Sequence, residues 1–341
     1  MMRIAAIAAA LLAAAGGASA VPLPGVNQAV IDSDAMPAKL SAFGMFYFND
    51  RAAPLNALSY TLRSPLFSDY ADKARFILLP AGKKATVAAD GTLQFPVGTV
   101  LVKSFGWASF NGGRPVETRL LIHRAAGWTA LPYVWDADGK DATLKVAGAR
   151  LPVTFNPPGR AAQTISYAVP NKNQCKECHS VNGVLMPIGP KAGNLVLDQA
   201  VSAPSRARLF ANPAALIPTM PRWDDPASGT IASRARAYLD ANCAHCHNPA
   251  GSASNSGLYL GADVTNATAL GIGKRPVAAG RGSGGHDFAI APGQPDASIM
   301  LYRLESIHPG IAMPEVGRST VHREGVDLLR QWIAQMDKRG H

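Results

Sequence analysis

The four cysteines of this chain all lie in two Cys-x-x-Cys-His pentads, Cys175–His179 and Cys243–His247. Two thiols one helical turn apart can each add to one vinyl group of a single porphyrin, and the adjacent histidine can then ligate the iron. This chemistry is that of covalently attached haem c. We therefore predict two haem c groups, bound through Cys175, Cys178, Cys243 and Cys246, with His179 and His247 as iron ligands.

Zinc ribbons and thioredoxin-like redox sites also use paired cysteines. A zinc ribbon separates its two pairs by about 15–20 residues, whereas Cys178 and Cys243 are much further apart. A thioredoxin-like site follows a strand in a βαβ unit and needs no adjacent histidine. The pattern favours haem at both pentads, and zinc or a disulfide are the alternatives.

The N-terminus has the three parts of a secretory signal peptide. A basic start at Arg3 precedes an apolar run from Ile4 to Ala15, and Ala18-Ser19-Ala20 forms a cleavage site. The apolar run is shorter than the roughly 20 residues that a membrane-spanning helix needs. We predict a signal peptide over residues 1–20, cleavage near Ala20, a periplasmic location and no integral membrane span.

The formal net charge of +10 bears on the partners of the protein. The basic residues are scattered and form neither a block nor a helical stripe, which argues against nucleic acid binding. A basic surface can steer docking to an acidic protein. We expect a redox partner protein with an acidic docking surface.

Residues 21–168 have the composition of a β-rich domain, and its role is not predicted. Short apolar runs bounded by proline and glycine predict strands, and Asp-Gly dipeptides predict hairpin turns. His123 lies in a strand pattern and is interpreted as a packed or surface histidine. No catalytic constellation is found in this part of the chain. The predicted strands lie at 76–79, 99–102, 117–122 and 133–135, and the hairpin turns at 88–91 and 136–141.

The segment 227–341 resembles a class I cytochrome c. Thr230 can cap a helix that runs to the second pentad, and Met313-Pro314 precedes a closing helix capped by Ser319 or Thr320. The resemblance implies that His247 is the proximal ligand and Met313 the distal ligand. A thioether favours Fe(II), so this ligation raises the reduction potential. The apolar stripe of the closing helix comprises Val326, Leu329, Ile333 and Met336.

The segment 169–226 carries the first predicted haem and has no closing helix of its own. The same resemblance implies that the Pro190 carbonyl accepts a hydrogen bond from His179. Met220 is the preferred distal ligand. Met186 is too close to His179 to cross the haem, and His123 or an open position are further alternatives.

Over most of the mature chain, the sequence resembles a group of bacterial exported dihaem proteins with a β-rich region before two haem sites. The resemblance implies an architecture and no substrate. We predict a multidomain α+β protein in which the β-rich domain is followed by mainly α-helical, cytochrome c-like haem domains. The resemblance is carried by Pro65–Ala71, Glu117–Leu121, Asn173–Cys175 and Arg236–Asp240.

These observations predict a dihaem electron-transfer protein rather than a catalyst. A dihaem peroxidase-like enzyme is an alternative and needs an open distal position at the first haem. A β-rich binding module that carries redox haems is another alternative. The glycine-serine loop 280–285 has no phosphate-binding fingerprint and is interpreted as a surface loop. Arg275, or Arg281 within the loop, could pair with a haem propionate.

Overall fold

The computed structural model describes residues 25–46, 57–198, 201–277 and 279–337, so the predicted signal peptide lies outside the described residues. These residues contain thirteen strands. In chain order they are β1 (Leu58–Leu62), β2 (Asp72–Leu78), β3 (Thr86–Val87), β4 (Leu93–Gln94), β5 (Val100–Gly106), β6 (Glu117–Arg124), β7 (Gly127–Trp135), β8 (Ala142–Leu144), β9 (Ala149–Phe155), β10 (Gln163–Val169), β11 (Ser180–Val181), β12 (Val184–Leu185) and β13 (Leu195–Leu197).

Seven strands form one antiparallel sheet in the order β13-β1-β2-β5-β6-β7-β8. The predicted strands correspond to β2, β5, β6 and β7, and the predicted hairpin turns join β3 to β4 and β7 to β8, so these predictions are confirmed. Gly91 and Gly139 adopt positive φ angles in those two turns, which glycine tolerates without a steric penalty.

Both faces of the sheet are covered, because apolar side chains alternate toward two separate clusters. Val102 and Leu120 pack on one face with Phe43 and Tyr133. On the other face Leu101 packs in a cluster that also holds Cys175 of the first pentad. Successive strand residues point to opposite faces, so this second face carries every other residue of β5 and β6. The first pentad therefore lies against the sheet.

The described residues contain six α-helices, each of 5 to 12 residues. The C-terminal helices α4 (Ile231–Asn242) and α6 (Arg323–Ala334) pack against each other. A Cβ atom on Gly325 of α6 would lie 2.4 Å from the Tyr238 ring of α4. Glycine is needed there for the close approach. In chain order the helices are α1 (Gln28–Asp32), α2 (Lys172–Cys178), α3 (Ala203–Leu209), α4 (Ile231–Asn242), α5 (Ile299–Glu305) and α6 (Arg323–Ala334).

The predicted fold class, a β-rich domain followed by mainly α-helical cytochrome c-like haem domains, is wrong. The described residues form a mostly β structure around the seven-stranded sheet, and their helices are short. The segment 169–226 contributes β13, which pairs with β1. In the segment 227–341, the stretches between the helices are rich in glycine and proline and form loops and 3₁₀ turns, because these residues disfavour helix interiors.

The cap predicted for α4 is confirmed and the cap predicted for α6 is wrong. The Thr230 side chain accepts a hydrogen bond from the Ser233 amide at the start of α4. Helix α6 begins after His322, whose side chain makes no capping hydrogen bond. The amides of Ser319 and Thr320 instead donate to the buried Asp69 carboxylate at 2.7 and 2.8 Å.

Asp69 belongs to a loop that ties the sheet to the C-terminal helices. The Tyr70 hydroxyl donates to Glu324 at 2.6 Å, and the Arg160 guanidinium donates to the same carboxylate at 2.6 Å. The Phe67 ring stacks on the imidazole of His322 with 4.1 Å between centroids. The segment Pro65–Ala71, which carried part of the family resemblance, thus joins two parts of the fold.

We expect the stability of the protein to fall on acidification because of His322. The imidazole is buried beside Tyr238, and its pKa is lowered from 6.5 to about 4, chiefly by burial and also by Lys73 and Arg160, against the opposing charge of Glu324. The unfolded chain takes up the proton near pH 6.5 and the folded chain only near pH 4. The free energy of unfolding should therefore decrease by about 3 kcal/mol between these two values.

Urea unfolding at several pH values measures this dependence. The variant His322→Phe keeps an aromatic ring against Phe67 and should flatten the slope between pH 6.5 and 4, whereas His308→Asn, at an exposed histidine, should retain it. An unchanged slope in His322→Phe would contradict the prediction.

Within the described residues, no helix combines the length and the apolar character needed to cross a lipid bilayer.

Candidate functional site

Helix α2 presents the thiols of the first pentad. A capping box begins the helix, because Asn171 accepts from the Gln174 amide at 2.8 Å and Gln174 accepts from the Asn171 amide at 3.0 Å. Cys175 and Cys178 follow, one turn apart and both partly exposed. Residues three apart on a helix lie on one face, so both thiols can reach the same partner.

His179 is held in a defined tautomer at the end of α2. Its Nδ1 lies 3.1 Å from the carbonyl oxygen of Met186. A carbonyl can only accept a hydrogen bond, so Nδ1 carries the proton and Nε2 keeps a free lone pair. The partner implied by the family resemblance was Pro190, and that expectation is wrong. Burial, aided by the nearby Lys103, lowers the pKa of His179 to about 3, which keeps the ring neutral.

The second pentad forms the turn that follows α4. The His247 amide donates to the Cys243 carbonyl at 2.9 Å, which places the two cysteines on one turn. Nδ1 of His247 lies 3.1 Å from Oγ of Ser256. The Ser256 hydroxyl donates its own proton to the Ala253 carbonyl at 2.7 Å. Ser256 therefore accepts from Nδ1 of His247 and leaves Nε2 as a lone-pair donor, as at His179.

The two pentads lie side by side in the fold. The thiol of Cys246 donates to the Glu177 carbonyl at 3.6 Å, and ligand atoms of Cys178, His245 and Cys246 all lie within 4.8 Å of one another. Hydrogen bonds from the Cys178 thiol and from His245 lower the pKa of Cys246, against the opposing effect of burial. One thiol of each pentad thus lies at the contact between the two pentads.

Met313, the predicted distal ligand of the second haem, lies beside residues that face His247. Its amide donates to the Arg303 carbonyl at 3.0 Å, and the Arg303 charge helps to lower the pKa of His247, which burial lowers most. The Met313 carbonyl accepts from Nε of Arg318 at 3.1 Å. Met313 is therefore fixed between Arg303 and Arg318, and its ligation stays a prediction.

The candidates for the distal position of the first haem lie on other elements. The Met220 amide donates to the Gly193 carbonyl at 2.8 Å, and its own carbonyl accepts from the Arg63 guanidinium at the end of β1. His123 lies on β6, stacks on Trp128 with 4.5 Å between ring centroids and has Nδ1 2.8 Å from a main-chain carbonyl. This packing agrees with the interpretation of His123 as a packed histidine, and the ligation of Met220 stays a prediction.

A row of positive side chains on the sheet was missed by sequence reasoning. Arg75, Lys103 and Arg119 lie on the neighbouring strands β2, β5 and β6 and are cross-strand partners. Lys103 interrupts the apolar strand Val100–Gly106. This lysine could have revealed the row from the sequence, because a lysine is almost never buried without a partner.

Both pentads fit haem c by their donor sets. Each offers two partly exposed thiols on one turn and an imidazole whose Nε2 is free because Nδ1 is already bonded. A ligating histidine normally donates its other ring nitrogen in this way. The residues that would hold the two groups are Cys175, Cys178 and His179 at the first pentad, and Cys243, Cys246 and His247 at the second.

Comparison of the chain with family models, with curated proteins and with the solved structures yields no match. The resemblance to class I cytochrome c and to exported dihaem proteins therefore stays a prediction from the motifs. The function has to be argued from the chemistry of the pentads and of their surroundings.

Proposed function

We propose that this protein is a dihaem c-type cytochrome of the periplasm that transfers electrons through two covalently bound haems. The observation that carries the proposal is the repeated donor set, in which each pentad combines two thiols with an imidazole held as its Nδ1–H tautomer. When bound, haem c supplies one-electron exchange between Fe(III) and Fe(II). The same proposal includes export of the chain to the periplasm and attachment of the haem there.

The side chains of the pentads have distinct tasks. The thiols of each pentad would hold the haem through thioether bonds to its two vinyl groups. His179 and His247 would hold the iron through Nε2, because Met186 and Ser256 orient the two rings through Nδ1. Cys246 and the Glu177 carbonyl lie 3.6 Å apart, so the two attachment turns are adjacent, and this favours direct electron exchange between the groups that they would hold.

We expect Ser256→Ala to raise the reduction potential of the second haem. The hydrogen bond from Nδ1 increases the basicity of His247, and a more basic ligand stabilises Fe(III). Its loss should shift the Fe(III)/Fe(II) equilibrium toward Fe(II) by up to about tenfold, which is about 59 mV for one electron. Spectroelectrochemical titration measures the shift, with Ser254→Ala in the same turn as control. A potential that falls or stays constant would count against this role of Ser256.

The distal ligands proposed are Met313 at the second haem and Met220 at the first. Met220→Ala should leave the first haem with a vacant position that binds carbon monoxide when reduced, whereas the unaltered protein should bind none. The reduced absorption spectrum with and without carbon monoxide measures this difference, and Met186→Ala is the matched control. If Met220→Ala leaves the spectrum unchanged, Met220 is not a ligand. If the unaltered protein itself binds carbon monoxide, a peroxidase-like activity becomes the better proposal.

The proposal as a whole is tested by the haem content of the exported full-length protein. We would express it in a host that attaches haem c and measure haem by the pyridine haemochrome spectrum and the mass of the intact chain. Two covalently bound haems per chain are expected. A chain without haem would overturn the proposal. The electron-accepting partner, proposed to be acidic at its docking surface, can then be sought through the salt dependence of electron transfer.

A metal site shared by the pentads is the second candidate, favoured by the grouping of Cys178, His245 and Cys246. Three ligands with an open fourth position are typical of catalytic zinc. This alternative uses neither His179 nor His247 as a ligand. Metal analysis of the same preparation separates the two, because one zinc and no haem per chain would support the shared site.

A further inference from the structure

The cationic row on the sheet consists of Arg75, Lys103 and Arg119. Arg75 pairs with Lys103 across β2 and β5, and Lys103 pairs with Arg119 across β5 and β6. Directly paired residues point to the same face with Cβ atoms about 4.5–5.5 Å apart. Three positive side chains thus stand next to one another on one face of the sheet.

Only one carboxylate compensates this row within the described residues. Glu117 accepts two hydrogen bonds from Arg119 at 2.6 and 2.8 Å. Arg75 is 6 % exposed, donates to a main-chain carbonyl, and has a buried Nε without a hydrogen-bond partner. The Lys103 ammonium contacts the Phe105 ring, 5.5 Å from its centroid. Two positive charges are therefore left without an anion.

The row faces the first pentad. Leu101 and Leu121, each two residues from a member of the row and on the same face, pack in the cluster that includes Cys175. The charge of Lys103 acts on Cys178 and His179, and that of Arg119 acts on Cys175. Helix α2 packs on β7, the strand next to β6 in the sheet. The uncompensated charge thus lies beside the attachment turn.

A buried charge is costly unless it is paired. Burial and the repulsion of Arg75 and Arg119 lower the pKa of Lys103 to about 7, as expected of a site that lacks its anion. Guanidinium and ammonium groups recognise carboxylates by charge-assisted hydrogen bonds. Two carboxylates would neutralise the two unpaired charges.

We propose that Arg75, Lys103 and Arg119 form a carboxylate-binding site beside the first pentad. The carboxylates have two possible sources: the propionates of the haem proposed at Cys175 and Cys178, or a diffusible dicarboxylate that binds next to the pentad. Inorganic phosphate serves as a second anionic probe of the site. The first source rests on the proposed function, and the second does not. Sequence analysis had placed propionate partners at Arg275 or Arg281, but Arg275 pairs with Asp287 at the surface.

The test compares Lys103→Gln with the unaltered full-length protein. Lys103→Arg keeps the charge, and Lys83→Gln removes an exposed lysine as a control. Three quantities are measured on each variant: the covalent haem content, the propionate bending bands in the resonance Raman spectrum, and the heat of titration with succinate and with inorganic phosphate. The melting temperature reports on the fold.

If the row binds the propionates, Lys103→Gln should shift the propionate bending band of one haem and lower the melting temperature. Lys103→Arg and Lys83→Gln should change neither the band nor the melting temperature. Neither succinate nor phosphate should bind. A diffusible ligand predicts saturable binding of succinate or phosphate, weakened at least tenfold by Lys103→Gln, with unchanged bands. Unchanged bands, no anion binding and a higher melting temperature in Lys103→Gln would overturn the proposal, because the lysine would then be only an unpaired charge. A chain without haem at Cys175 and Cys178 refutes the proposed function there, and the anion titration still decides the site.

Discussion

Replacing Cys175 and Cys178 together by alanine should lower the covalently bound haem from two groups per chain to one. Both thiols of this pair lie on a single turn of α2, so the double variant removes every thioether that the first pentad could form. The second pentad keeps its own thiols on the turn after α4. The pyridine haemochrome spectrum and the mass of the intact chain measure the loss directly.

The reciprocal variant, Cys243→Ala with Cys246→Ala, is the matched control and should also leave one haem. The close approach of Cys178 to Cys246 makes the comparison informative. If the three residues Cys178, His245 and Cys246 instead held one metal ion, either double variant would abolish binding of that ion, and neither would leave one haem. Retention of two haems in either variant would contradict attachment at the altered pentad.

Substituting Glu117 by alanine should decrease the free energy of unfolding by about 3–5 kcal/mol, the usual cost of removing one partner of a buried ion pair. The Glu117 side chain is fully buried. Its carboxylate accepts two hydrogen bonds from Arg119 and a third from the Tyr167 hydroxyl at 2.6 Å. The variant leaves the row of Arg75, Lys103 and Arg119 without a carboxylate from the described residues, so the remaining charges repel one another.

Urea unfolding of the purified full-length protein measures this effect. Asp287→Ala is the control, because Asp287 pairs with Arg275 at the surface. The Asp287 side chain is 69 % exposed and the Arg275 side chain 71 %. Exposed ion pairs contribute about 0–1 kcal/mol, so this variant should unfold almost as the unaltered protein does. Equal losses in the two variants would show that the buried network around Glu117 has no special role. A loss confined to Glu117→Ala would identify it as a main support of the sheet.

The strands and turns of the sheet could be predicted from local sequence. In runs such as Thr99–Val102, apolar residues either alternate with polar residues or follow one another directly, and residues that favour turns lie at both ends of the run. This pattern depends only on residues that are close together in the sequence. Helices α4 and α6 could be predicted for the same reason, because their apolar residues recur at helical spacing. The fold class was predicted wrongly, since two helices were taken to represent the whole of the segment 227–341, most of which is made of loops and short turns.

Partners that are distant in the chain could not be predicted. Glu177 and Cys246 meet although 69 residues separate them. Ser319 and Thr320 have the residue types of a helix cap, yet they bond to Asp69, about 250 residues away. Such pairings depend on how the helices, strands and loops pack against one another. A local sequence pattern carries no information about that packing.

The sequence by itself determined the chemistry that each pentad can perform. The spacing of Cys175, Cys178 and His179 sets two thiols and an imidazole on one turn, whatever surrounds that turn. Only the tertiary structure decided that the two pentads touch, that Met186 and Ser256 orient the histidines, and that a cationic row faces the first pentad. The physical reason is that a covalent motif is local, whereas burial, charge and hydrogen-bond partners at a site are supplied by strands and loops from elsewhere in the chain.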